Sequence, residues 1–309
     1  MATLSTESQA DALRVTGRRR FIARRSGGFS REQASPLWAL SAWLVGLIVF
    51  FPVLYMFLTG FKTESAAVDL PPKLIFMPTL ENYRAVFRVN FLPFFRNSMI
   101  TSLVSTLFVM ILAIPCAYAL ALRRPKKWKD VLFFFISTRF LPPAGVIIPL
   151  YVIYSQNGDP NLGARGLGLL GTMPGLIILY IAMNLSIAVW MLRSFFEEVP
   201  RDVIDAARVD GAGVVREMTE IVLPMVTPGI AATVFISIIF AWNEFFFAFN
   251  LAATGTSTVP MFMVRFVTAE GLFWAKLAAS STMAVLPIVL LGWVAQRQLV
   301  RGLSMGAVK

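Results

Sequence analysis

The sequence predicts an all-α integral membrane protein with six transmembrane helices, and three observations predict it. Aliphatic and aromatic side chains with cysteine fill 57% of the 309 positions, above the ~45–50% usual for soluble domains. Five uncharged runs, at 37–61, 97–122, 166–192, 221–243 and 277–296, each reach the ~17–25 residues that cross a bilayer, and a sixth, 131–155, carries one charge, Arg139. Lysine and arginine alternate between successive connections. Residues 1–37 hold seven, 123–130 five, 193–216 four and the C-terminal end three, against five, one and two in 61–96, 156–172 and 251–276. Positive charge stays on the cytoplasmic side, so both termini and the 123–130 and 193–216 segments are expected there. The net charge of +11 is mostly this bias; a nucleic-acid partner would need a soluble basic face, which the pattern does not offer.

What is missing narrows the chemistry. The single cysteine, Cys116, lies inside the second apolar run, so no disulfide framework or thiol–metal cluster forms within the chain. There is no histidine, the commonest general base and usual zinc ligand. No GxxxxGK[ST] loop occurs, so the chain does not hydrolyse ATP alone.

Taken in order, residues 1–36 read as a basic cytoplasmic tail and 37–300 as one six-helix membrane domain, followed by a 301–309 tail. The "GRRRFIARR" of the N-terminal tail resembles a twin-arginine export signal, but the apolar run starts too far downstream and lacks a small-residue cleavage site. Between the first two helices, clustered prolines and mixed charge predict an ordered external loop with a short helix at 81–87. In the third run, "RFLPPAGVIIPLY" places Pro142, Pro143 and Pro149 where they interrupt helical hydrogen bonds and bend the helix. Arg139 stands nine residues from Asp130, ~14 Å deep in a ~30 Å core. A guanidinium there costs at least ~2.5 kcal/mol unless it meets water or an anionic partner. Arg139 is therefore a candidate for the solute cavity, its planar fork suiting an anionic group, or for a pairing with another subunit. The glycine-rich "SQNGDPNLGARGLGLLG" suits an external turn before the fourth helix. In the fifth run Asn243 and Glu244 lie toward the external end, where they line a cavity or bond between helices.

The segment "VIDAARVDGAGVVREMTEIVLP", 203–224, is charged, yet it sits between two apolar runs. Pro200 is tolerated in the first turn of a helix and Gly211 suits a left-handed cap at its end. Positions 203, 206, 207 and 210 share one face of Val, Ala, Ala and Asp, small enough to let another surface approach. Arg201, Asp205 and Arg208 fall opposite and remain solvated. A second short amphipathic helix runs to Glu220, and Ile221 to Pro224 re-enters the membrane, giving a cytoplasmic helix–turn–helix between the fourth and fifth spans. One reading is a plain connecting loop. Another gathers Mg²⁺ on Asp202, Asp205 and Asp210 for an intramembrane transferase, but a diphosphate site needs a second acidic cluster, which no other cytoplasmic loop supplies.

The third reading is a resemblance. The segment is similar to the cytoplasmic signature loop of permease subunits of bacterial ATP-binding cassette importers: Glu-Ala-Ala, three residues, Gly, nine residues, Ile-x-Leu-Pro. Here Asp205-Ala206-Ala207, Gly211 and Ile221-Val222-Leu223-Pro224 keep that spacing, with Asp205 in place of Glu. The six-helix layout, "AWNEFFFAF" at 241–249 and the ending "QRQLVRGLSMGAVK" resemble the smaller permease of maltose-type carbohydrate importers. The resemblance implies a permease without catalytic residues, metal or cofactor, in the inner membrane, importing a sugar, polyol, glycosyl-glycerol or glycerol-phosphate solute by alternating access. It implies as partners a second homologous permease, a solute-binding protein and two copies of an ATPase that bind the ATP and Mg²⁺. It makes 198–224 the ATPase-coupling loop, carried by Val203, Asp205, Ala206, Ala207, Asp210, Gly211, Ile221, Leu223 and Pro224, with the loop helix docking in the ATPase cleft. It takes the tail residues Leu303, Ser304, Gly306 and Lys309 to the ATPase dimer interface and turns the loop at 251–271 toward the binding protein. The alternative from another class, an ion-coupled secondary transporter, has only Glu244 for its charge relay.

Overall fold

The computed structural model describes residues 36–156, 166–268 and 271–305, without the side chains of Leu272 and 297–305. The basic tail, Gly306 and Lys309 lie outside the described residues, as do the side chains of Leu303 and Ser304. The chain divides into two units, Met1–Pro52 and Val53–Lys309. Within the first, the described stretch is helical, the opening of α1 (Pro36–Thr59), and its large apolar side chains, Leu37, Trp38, Trp43 and Ile48 among them, are exposed. A helix apolar on every side belongs in hydrocarbon or against a partner helix rather than in water.

In the second unit the end of α1 leads to α2 (Glu64–Ala67), capped by the Thr63 hydroxyl, and to α3 (Glu81–Arg88), the short helix expected from the sequence. α3 is amphipathic and buries Asn82 and Val86. The Asn82 amide donates to the carbonyls of Gly60 (3.0 Å) and Lys62 (2.6 Å), fastening α3 to the end of α1.

The core is a packed bundle of α4 (Phe91–Tyr118), α7 (Met173–Glu197), α11 (Thr227–Trp242) and α14 (Trp274–Met305). Helices α4 and α7 meet along Val109, Ala113, Ala117, Ala188, Val189 and Leu192, where small and β-branched side chains let the backbones approach. Several buried hydroxyls in α4 bond to carbonyls of their own helix, although that of Thr106 has no partner. Thr101 donates to the Asn97 carbonyl and Ser102 to that of Ser98, the only economical arrangement away from water. Asn97 also donates to the carbonyls of Gly255 and Ser257, and the Val259 amide donates to Ser98 Oγ, so α4 pins the loop that precedes α13 (Val259–Val264). A two-stranded hairpin, β1 (Val267–Thr268) against β2 (Gly271–Leu272), pairs Val267 with Leu272 and Thr268 with Gly271.

Two expected spans are broken. The third is not one bent helix but α5 (Trp128–Ser137) with a 3₁₀ turn through Phe140, then α6 (Pro143–Tyr154), at 96° to each other. Leu141 and Pro142 both precede a proline, which drives them out of the helical region into extended backbone, at ψ 119° and 130°. The fifth breaks at Val226, where α11 leaves the preceding arm at 80°. Among the described residues four helices are long and apolar enough to cross a membrane, and counting each bent pair as one span makes six. At the far end α11 stops at Trp242, so Asn243 and Glu244 lie beyond it rather than inside a fifth helix. α14 runs on to Met305, past the expected start of a separate tail at 301.

Gly229 sets the approach of α11 to α7, because a Cβ there would fall inside the Phe195 ring. Gly229→Ala is expected to destabilise the bundle by about 1–3 kcal/mol, read as a lower unfolding midpoint in detergent, and Phe195→Leu in the same chain is expected to recover part of it.

Candidate functional site

The segment after α7 carries the densest set of polar contacts. Pro200, extended at ψ 131°, starts α8 (Arg201–Val209). At its end the Gly211 amide donates to the Arg208 carbonyl and the Ala212 amide reaches back to Ala207. With Gly211 at φ +81° this is the left-handed cap expected from the sequence. The chain continues as α9 (Val214–Arg216), a π-helical stretch at Glu217–Val222 and α10 (Leu223–Met225).

The facing of α8 differs from the sequence expectation. Ala207 turns inward with Ile204, and both are buried within this chain. Ile204 joins an apolar cluster with Leu120, Ala121, Phe196 and Val222. Every other position of α8 is exposed, so Val203, Ala206 and Val209 stand on its outward side among the charged Asp202, Asp205 and Asp210. The period of 3.6 allows either face to turn inward, and the bulk of Ile204 decides it. Ile221 and Leu223 are half-buried and Pro224 is exposed. Asp202, Asp205 and Asp210 are all exposed, and Asp205 faces Arg208 at 3.5 Å. Among the described residues no group of three or more His, Cys, Asp or Glu side chains gathers to hold a metal.

Arg208 stays exposed and keeps the expected pairing with Asp205, and it also reaches Glu217, whose side chain is fully buried. The Glu217 carboxylate accepts from Tyr118 Oη at 2.6 Å, Arg123 Nη2 at 2.8 Å and Arg208 Nε at 3.1 Å. Tyr118 ends α4, and Arg123 sits in the π-helical turn Ala119–Arg123 that extends it. Burial alone would raise the Glu217 carboxyl; hydrogen bonds from Tyr118 and Arg208 and the charges of Arg123 and Arg208 outweigh it and hold the group below the usual carboxylate range. The hydrogen bond to Glu217 correspondingly raises Arg208. Sequence reasoning missed Glu217, because its partners lie 9, 94 and 99 residues away and nothing local separates it from exposed Glu220.

The second candidate region surrounds the break between α5 and α6. Arg139 lines a cavity of about 240 Å³ with Thr138, Pro143, Leu150, Leu179 and Phe247. Its guanidinium donates to the Met183 carbonyl at 3.2 Å and lies 5.6 Å from the Phe240 ring centroid. No carboxylate lines the cavity. Asn243 and Glu244 are not brought to it. Asn243 donates to Ile239 in its own helix. The Glu244 oxygens accept from the amides of Phe247 (2.8 Å) and Ala248 (3.0 Å), capping α12 (Phe246–Leu251).

Residues 110–304 match the family model described as the inner membrane component of binding-protein-dependent transport systems. The chain is 33% identical over 285 residues, 92% of its length and 99% of the relative's, to a probable ABC transporter permease protein of Sinorhizobium fredii. It is 32% identical over 280 residues, 88% of its length and 97% of the relative's, to the trehalose transport system permease protein SugB of Mycobacterium tuberculosis. In fold it is similar to a chain of a bacterial ABC transporter involved in the import of the acidic polysaccharide alginate, with a TM-score of 0.66 and 20% identity over 87% of this chain and 98% of that one.

Because the folded Glu217 carboxyl lies below its ordinary value of about 4.3, its contribution to stability is complete above that value and is lost as the pH falls through the depressed folded one. Between about pH 6 and about pH 3, detergent unfolding midpoints are expected to fall further for the native chain than for Glu217→Gln, which has no carboxyl to titrate.

Proposed function

This chain belongs to the family of inner membrane components of binding-protein-dependent transport systems, and on that premise we propose that it is one permease of an ATP-driven importer for a carbohydrate or related solute. It is a membrane transport subunit of an ABC system; hydrolysis resides in a separate subunit. Support for the solute class comes from relatives named for trehalose and diacetylchitobiose uptake. The observation that carries the coupling role is α8 itself, a nine-residue amphipathic helix that buries Ile204 and Ala207 and presents Val203, Ala206 and Val209 among exposed charged side chains.

Under this reading there are six spans, the third being the bent pair α5–α6 and the fifth α11, and the lysine and arginine bias places both termini and the 198–224 loop, up to the break before α11, in the cytoplasm. Residues 1–36 form a basic tail and 37–300 the permease domain. Val203, Ala206 and Asp210 enter the cleft of one ATPase copy, while Asp205, Gly211, Ile221, Leu223 and Pro224 hold the shape of the loop. The inward Ala207 supports that shape instead of meeting the ATPase. A second homologous permease completes the pathway, two ATPase copies bind ATP with Mg²⁺, and a solute-binding protein meets the opposite side, including the loop at 251–271. The end of α14 and the residues after it, Leu303, Ser304, Gly306 and Lys309, reach the ATPase dimer interface. ATP binding closes the ATPases, draws the two coupling loops together and shifts the permeases between inward-open and outward-open states.

Arg139 is assigned to the solute pathway. One of its five donors is engaged by Met183, and the remainder can meet solute oxygens at the α5–α6 break. Asn243, exposed beyond α11, lies on the same route. Glu244 shapes the route through α12, and its engaged oxygens argue against a proton or sodium relay.

Substitutions at two positions test these roles. Gly211→Val forces a β-branched residue into positive φ, a cost of about 1–2 kcal/mol. It is expected to abolish uptake and the stimulation of ATP hydrolysis by loaded binding protein while the subunit still reaches the membrane; normal stimulation in reconstituted complexes would rule the docking role out. Arg139→Gln is expected to reduce uptake of the native solute, and Arg139→Lys to reduce it less, with ATP hydrolysis in detergent largely retained. Wild-type transport kinetics in the Gln variant would remove Arg139 from the pathway.

A further inference from the structure

The proposed coupling role leaves open how a nine-residue helix passes a pull to the membrane domain. So short a helix is not stable alone, and a hinge at either end would let it swing without moving anything else. The structure offers one fixed point that is neither backbone nor lipid. Glu217 is fully buried and binds donors from two elements at once: Tyr118 and Arg123 from the end of α4, and Arg208 from α8. Arg208 Nη2 adds a contact to Oε1 at 3.4 Å. Beside this network Ile204 of α8 packs in the apolar cluster that holds Leu120 and Ala121. A small cleft lined by Leu122, Arg201, Ile204, Asp205 and Arg208 lies between the two elements.

We propose that Glu217 is a positioning residue that latches the coupling helix α8 to the end of α4, so that the two move as one body when the ATPase subunits close. The inference rests on the importer reading and goes beyond it by naming the joint through which force is passed. The electrostatics favour a latch over ordinary packing. One fully buried carboxylate compensates two guanidinium groups that would otherwise repel across the joint, and removing it leaves both charges without that partner. Arg123 and Glu217 also lie in π-helical stretches, at Ala119–Arg123 and at Glu217–Val222, so this ion pair forms from locally widened helix on both sides.

The test measures relative motion in the full complex of this permease, the second permease and the ATPases, purified by size exclusion so that only assembled particles are read. With Cys116 replaced by alanine, spin labels at Asp202 and Lys126, both exposed, report the separation of α8 from the end of α4. In the wild-type background the distance distribution is expected to be narrow and the same without nucleotide and after trapping with ATP and vanadate. In Glu217→Gln it is expected to broaden and to shift by several ångströms on trapping. An unchanged, narrow distribution in Glu217→Gln would overturn the latch, as would a wild-type distance that already changes on trapping. If Glu217→Gln does not assemble, Tyr118→Phe, which removes the 2.6 Å donor and leaves both guanidinium contacts, must broaden the distribution, and a wild-type result there overturns the proposal. Failure of the importer reading is visible separately, as a wild-type complex that does not form or does not hydrolyse ATP.

Discussion

Backbone N–H groups at helix starts and cations packed between elements need partners, and at three joints outside the apolar helices a carboxylate supplies one. Glu64, before the core, accepts from the amides of Ala275 and Lys276 and so caps α14 from more than two hundred residues away. Glu244 caps α12. Glu217 joins α4 to α8. Each serves free N–H groups or cations that would otherwise be stranded, and each fixes an angle between segments that apolar packing alone would leave loose.

Between these joints the packing is undemanding. Alanine and valine line the α4–α7 seam, and Gly229 admits the Phe195 ring. In α4, Thr101 and Ser102 fold back on carbonyls of their own helix, and Asn97 and Ser98 hold the loop before α13. A rigid bundle carrying a short outward helix at one place and a pinned loop at another is a scaffold suited to moving as a body, which is what alternating access between two permeases requires of each half.

Much of this was legible in the sequence. The apolar runs located the long helices, the α3 helix was expected within one residue of its end, and Gly211 was expected at the left-handed cap it occupies at φ +81°. The spacing from Asp205 to Pro224 pointed to the family that the comparisons then showed. The failures share a cause. That Leu141 and Pro142 turn the chain by 96° rather than kinking it depends on two consecutive pre-proline restrictions adding up. That Ala207 faces inward and Val203 outward depends on what Ile204 finds to pack against. That Glu217 is buried while Glu220 is exposed depends on Tyr118 and Arg123, nearly a hundred residues earlier. Periodicity reports which residues share a face, and tertiary partners decide which face turns inward.

The account's central claim is that the outward face of α8 is where this permease meets its ATPase. Photo-cross-linking from Ala206 in assembled complexes tests it most directly, with Thr219, exposed on the neighbouring segment, as the comparison position. The account predicts that a photoreactive residue at 206 captures the ATPase chain in high yield and that one at 219 does so far less. Capture of lipid or of no protein from 206, in complexes that still hydrolyse ATP in response to the binding protein, would contradict it.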